Sequence, residues 1–279
     1  MEEAKRGWLR ILLFVLPYIF IAGGVQLLGA YLMGIDFQSE DKTYFDRFFL
    51  KLFELVGMFL VLWIFMNYVD KRPFVDLGFS WKGRSQEFLA GIVLGAVIMG
   101  FVFVFLLLTR ELIFKSVDFD ASGALASILL FTAVAVGEEV LLRGYVLRNL
   151  MLSFSKYSAL ALSSLLFAAL HGLNPNLDVL GMLNLFLAGI LLGTSYIFTK
   201  NLWFPIGLHL SWNLFQSYFG FNVSGQDFYS IFKFELPEAN ILNGGYFGFE
   251  GSVLAVIIQL LLIGLLFSYY QKRRQNSLI

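Results

Sequence analysis

Cysteine is absent from the chain. Disulfides, thiolate nucleophiles and cysteine metal sites are thereby excluded together. Charge is scarce: Asp, Glu, Lys and Arg make up 14% of the 279 residues, against roughly 25% in soluble domains. The 20 basic and 20 acidic residues cancel, so no excess charge of the kind that draws nucleic acid is present. There are only two histidines, and no tandem repeat or low-complexity stretch. No segment alternates like a membrane barrel strand. The first apolar run, Trp8 to Met33, is too long for a signal-peptide core and lacks a small-residue cleavage site. A retained first span is expected.

What is abundant is apolar surface, at 58% of residues. A chain this apolar needs lipid around it. Eight apolar segments, near 8–34, 47–69, 87–109, 122–149, 157–173, 179–199, 203–219 and 252–270, are each expected to be helical, because backbone polar groups in lipid must pair within their own segment. The expected fold class is therefore all-α, a polytopic transmembrane bundle of about eight spans forming one membrane domain over 1–279. The fifth and seventh segments are short, and polar residues weaken their hydropathy.

Lys5, Arg6 and Arg10, then Lys71, Arg72, Lys82 and Arg84, then Arg148, Lys156 and Lys200, then Lys272, Arg273 and Arg274 all fall on one side of an eight-span arrangement. The excess of Lys and Arg assigns that side, with both termini, to the cytoplasm. Asp36, Glu40, Asp41, Asp118, Asp120, Asp227, Glu235, Glu238 and Glu250 fall on the other. The longest loop there, Gly220 to Gly251, is partly apolar and either lies on the membrane or caps the bundle.

Ionisable groups within spans cost ~2.5–3.5 kcal/mol each and mark function by default. Segment four holds Glu138, Glu139 and Arg143; segment five ends Phe167-Ala168-Ala169-Leu170-His171; segment seven holds His209 and Asn213. Glu139 and Arg143, four apart, share a helix face and can form an ion pair. Glu138 is rotated about 100° away and has no partner on its own helix. Such an acid, in a low dielectric, can take and return a proton near neutral pH. Counted from the assumed cytoplasmic ends at ~1.5 Å per residue, Glu138 lies about 16 Å deep, Asn213 about 15 Å, His209 about 9 Å and His171 about 21 Å. Helix tilt or a broken span must bring them level. Lys51 and Glu54 read as an outer-end pair that can snorkel, and Gln26, Asn184 and Gln259 as interhelical hydrogen-bond partners.

The runs Glu138-Glu139-x-x-x-Arg143, Phe167-x-x-x-His171 and His209-x-x-x-Asn213, in this order, resemble the CPBP family of CAAX proteases and bacteriocin-processing enzymes, also called the Abi family. The resemblance covers about 120–219, the expected catalytic core. It implies a glutamate intramembrane endopeptidase acting on a peptide or membrane-protein substrate, in the cell membrane. Glu138 would activate water, His171 would orient that water or hold Glu138, and His209 and Asn213 would donate to the oxyanion. Glu139, Arg143 and Phe167 would be supporting residues. No cofactor is expected. Two neutral imidazoles and one carboxylate can also hold zinc with an open water position, so Glu138, His171 and His209 serve a metal-dependent alternative equally. A non-catalytic binding or immunity protein is the other alternative. Beyond lipid and a peptide substrate no partner is expected, and the oligomeric state is not legible.

Overall fold

A computed structural model describes residues 6–276 except 38 and 40. Lys5, Glu40 and the side chain of Arg274, used above for the charge bias, lie outside the described residues. Eight helical stretches occupy the eight apolar segments: α1 (Gly7–Met33), α2 (Tyr44–Asp70), α3 (Ser85–Leu108), α4 (Ala121–Ser153), α5 (Lys156–Leu170), α6 (Val179–Thr199), α7 (Trp203–Tyr218) and α8 (Val253–Asn276). Side-chain caps start several of them. Thr43 and Asp46 form a capping box before α2, Asp120 accepts from the backbone of Ser122 and Gly123 before α4, and Asp178 accepts from Gly181 before α6. Six helices, α1 to α4, α6 and α8, are long and apolar enough to cross a membrane. The chain is a multi-pass helical membrane protein. The weak segments became α5 and α7, of 15 and 16 residues, short of the roughly 20 a full span needs.

The helix ends group in two sets. Arg10 and Arg148 both face Asp70, at 2.8 and 3.9 Å. Arg84 and Arg273 both reach Glu87, at 2.6 and 3.3 Å. The Asn201 amide donates to the Ser80 carbonyl at 2.7 Å, and the Leu202 N–H to the Gly78 carbonyl at 3.1 Å. The start of α1, both ends of the α2–α3 loop, the end of α4, the α6–α7 turn and the end of α8 thus meet at one basic end, as alternating crossings require.

At the opposite end two strands appear that hydropathy did not mark. β1 (Ile113–Val117) pairs antiparallel with β2 (Phe232–Glu235) in the register Phe114↔Phe234 and Val117↔Phe232, with a bulge between Phe114 and Ser116. The ribbon ties the α3–α4 loop to the long α7–α8 loop. Tyr229 anchors it: its hydroxyl accepts from the Asp120 N–H at 2.7 Å, and its carbonyl accepts from Ser217 Oγ at 2.6 Å. The loop over 220–251, expected either to lie on the membrane or to cap the bundle, packs over this end of the bundle.

Glycine sets the position of α7. A Cβ on Gly91 of α3 would lie 2.6 Å from the Leu208 nitrogen and the Phe204 carbonyl oxygen, and one on Gly95 would lie 2.8 Å from the Trp212 nitrogen. Only hydrogens there let the two backbones approach, the small-residue packing of membrane helices. Ser211 Oγ then donates to the Gly91 carbonyl at 3.2 Å. Gln26 donates to the Leu50 carbonyl, Asn184 to the Ser252 carbonyl, and Gln259 to Asn184 Oδ1, the interhelical roles expected of them.

Candidate active site

Glu139 lies at the centre of the bundle with no exposed side-chain surface. A buried carboxylate in a membrane must be paired, and this one is paired twice. Its Oε1 accepts from Arg143 Nη1 at 2.9 Å and from His209 Nδ1 at 2.9 Å. The first bond is the expected i,i+4 pair. The second joins α4 to α7 across seventy residues of sequence, and it makes Glu139 more than one half of a structural ion pair. Immediately after Glu139 the helix widens into a π-type turn over Val140–Leu147, a feature that recurs at functional sites. Arg143 is held on its other side by donation to the Gly189 carbonyl at 3.2 Å, and its guanidinium stands 4.8 Å from the Phe167 ring centre.

Phe167 explains its own place in the Phe-x-x-x-His run. Its ring stacks on Arg143 from one side and lies 4.7 Å from the His171 ring and 6.3 Å from the His209 ring. Its carbonyl faces His171 Nδ1 at 2.8 Å. α5 stops at Leu170, so His171 occupies the residue after the helix. It is reached from the cap end rather than from within a span. α5 starts at Lys156, so His171 keeps the depth counted for it, while α4 runs on to Ser153 and sets Glu138 about 22 Å from that end, level with His171.

Glu138 is the convergence point. His171 Nε2 and His209 Nε2 each lie 3.9 Å from its Oε2. Among the described residues that oxygen has no hydrogen-bond partner. The acid therefore lacks a partner on its own helix, as expected, but has an imidazole on each side. The tautomers follow from the outer bonds. His171 Nδ1 must donate to a carbonyl and His209 Nδ1 to a carboxylate, so each ring, when neutral, turns a bare Nε2 towards Glu138. Three acceptors facing one another need a donor or a cation between them.

Spacing weighs one against the other. A water bonded at about 2.8 Å to two atoms 3.9 Å apart makes an angle of about 88° between its bonds, about 20° under tetrahedral. Zinc at about 2.05 Å from the same two atoms would need about 144°, where tetrahedral coordination wants roughly 109°. Glu138, His171 and His209 have the donor chemistry for zinc, and the 3.9 Å spacing lies between the roughly 3.4 Å that tetrahedral zinc sets between two ligand atoms and the roughly 4.6 Å that a tetrahedral water sets between two partners. Among the described residues no group of three or more His, Asp and Glu is arranged for a metal ion.

These groups open into a cavity of about 600 Å³, within the range of ligand sites. Glu138, His171, His209 and Asn213 all line it, with Phe167 behind them. Asn213 sits one turn beyond His209, buried, and among the described residues no hydrogen bond commits its amide. Lys51 and Glu54 pair near the outer end of α2 as expected, but they are not only structural. They line the same cavity, bonded to each other at 2.9 Å, with the Tyr18 hydroxyl donating to Glu54 at 2.9 Å. Charge in span two was visible in the sequence; its facing Glu138 was not.

Residues 120–215 match the family model described as Rce1-like, type II CAAX prenyl endopeptidase. The match contains Glu138, Glu139, Arg143, Phe167, His171, His209 and Asn213, and it supports an intramembrane peptidase role. No curated protein and no solved structure matches the chain.

Proposed function

We propose that this Rce1-like segment is the catalytic core of an intramembrane endopeptidase that hydrolyses a peptide bond with a water activated by Glu138. The observation that carries the reading is the meeting of two imidazole nitrogens at 3.9 Å on one unpartnered carboxylate oxygen inside the cavity. A water astride His171 Nε2 and Glu138 Oε2 gives one hydrogen to each and keeps a lone pair for the scissile carbonyl. As its oxygen bonds to the carbonyl carbon, Glu138 takes one proton. Collapse of the tetrahedral intermediate breaks the C–N bond, and Glu138 returns that proton to the leaving nitrogen. The products are a new carboxyl terminus and a free amine.

The oxyanion needs donors. Asn213 supplies an uncommitted amide, worth roughly 3–4 kcal/mol if it acts as such donors do elsewhere. His209 spends Nδ1–H on Glu139, so its Nε2 donates only as an imidazolium. The Glu139 carboxylate behind it stabilises that form, as a carboxylate does behind a catalytic histidine. Arg143 keeps Glu139 ionised for this task. The setting is the cell membrane, with the basic end of the bundle in the cytoplasm.

The test is Glu138→Gln, which keeps the volume and loses the base. Membrane proteomes of cells carrying the parent or the variant are compared for peptides whose cleavage disappears, and melting of the purified variant in detergent verifies the fold. Loss of cleavage with unchanged melting is expected. Unimpaired cleavage by Glu138→Gln would end the proposal.

A further inference from the structure

The cavity has a direction. Its lining reaches Asn174 after α5, Ser224 and Gln226 in the long α7–α8 loop, Glu250 before α8, and Arg47 near the start of α2. All belong to the end that carries the β-ribbon. No lining residue among those described comes from the α2–α3 loop, the α4–α5 turn or the α6–α7 turn, which form the basic end. There Leu77, Tyr145, Leu147, Tyr196 and Leu202, each fully buried, pack in the main core, and the Tyr196 hydroxyl closes on the Leu77 carbonyl at 3.2 Å. The early stop of α5 and the exposed loop residue Gln226 leave the ribbon end as the way in to Glu138.

Charge says which side of the membrane that is. Arg10, Arg72, Lys82, Arg84, Arg148 and Lys156 crowd the sealed end, with others beside them, and loops rich in Lys and Arg stay cytoplasmic. We infer that the site is served from the extracytoplasmic face, so that its substrates are membrane-tethered peptides or proteins whose scissile segment lies on that side, and a cytosolic chain has no route to Glu138. The peptidase reading tells what enters; the side of access stands apart from it and is tested without turnover.

The chain has no cysteine, so single cysteines report cleanly. Gln226→Cys marks the mouth, Val134→Cys lies one helical turn before Glu138 on the cavity wall, and Lys82→Cys marks the exposed basic loop. Each full-length variant is treated with a membrane-impermeant maleimide in right-side-out and in inverted membrane vesicles. Expected is labelling of Gln226→Cys and Val134→Cys only in right-side-out vesicles, and of Lys82→Cys only in inverted ones. The reverse pattern would overturn the orientation. Labelling of Val134→Cys only from the inverted side, or from neither side while Gln226→Cys reacts, would overturn the route. Neither failure touches the Glu138→Gln experiment, and an active Glu138→Gln protein would leave the labelling result standing.

Discussion

Replacing Glu139 by glutamine, alone and together with Arg143→Met, separates a catalytic support from a structural ion pair. In the single variant the amide oxygen can still accept from Arg143 and His209, so shape is kept and charge is lost. An imidazolium about 4 Å from a carboxylate is stabilised by about 4 kcal/mol at an effective dielectric of about 20. Losing that from the transition state predicts a fall in cleavage rate of about a thousandfold. The same change leaves the Arg143 guanidinium, 1% exposed, without its counter-charge, at a cost of ~3–5 kcal/mol in stability. Adding Arg143→Met removes the orphaned cation. With the cation gone, the penalty of a buried unpaired charge falls away, so the melting temperature in detergent recovers while cleavage stays low. The assay is cleavage of a peptide identified with Glu138→Gln, at matched protein fold and concentration. A double variant with parental melting and parental rate would refute the reasoning and reduce Glu139–Arg143 to packing.

Two further outcomes are expected. In the proposed mechanism Glu138 and not a metal activates the water, so cleavage should persist after exhaustive chelation; loss restored by added zinc would favour the metal-dependent alternative. Gly95→Val should weaken both stability and cleavage, since a Cβ there meets the Trp212 nitrogen at 2.8 Å and must push α7, with His209, away from α3. Unchanged melting and rate would mean that the α3–α7 contact does not position the site.

Much of this was legible in the sequence for one physical reason. Lipid forces every crossing segment to satisfy its own backbone, so hydropathy alone located all eight helices and the all-α class. Spacing of four made Glu139–Arg143, Phe167–His171 and His209–Asn213 neighbours on their own helices, and each contact is local enough to be read from helical geometry. The charged ends were legible for the same reason, because Lys and Arg bias is carried by loops and not by packing.

Tertiary structure decided what lies between helices. α3 is apolar all round, so no periodicity marks the side on which Gly91 and Gly95 admit α7. The rotation of each helix about its axis, set by such contacts, brought Glu139 to His209 and turned Lys51 and Glu54 into the cavity. The meeting of His171 with Glu138 and the pairing of β1 with β2 across the cap likewise depend on partners more than a dozen residues away. Local sequence specifies a helix and its polar groups; which of those groups face one another across one cavity is fixed only when the helices pack.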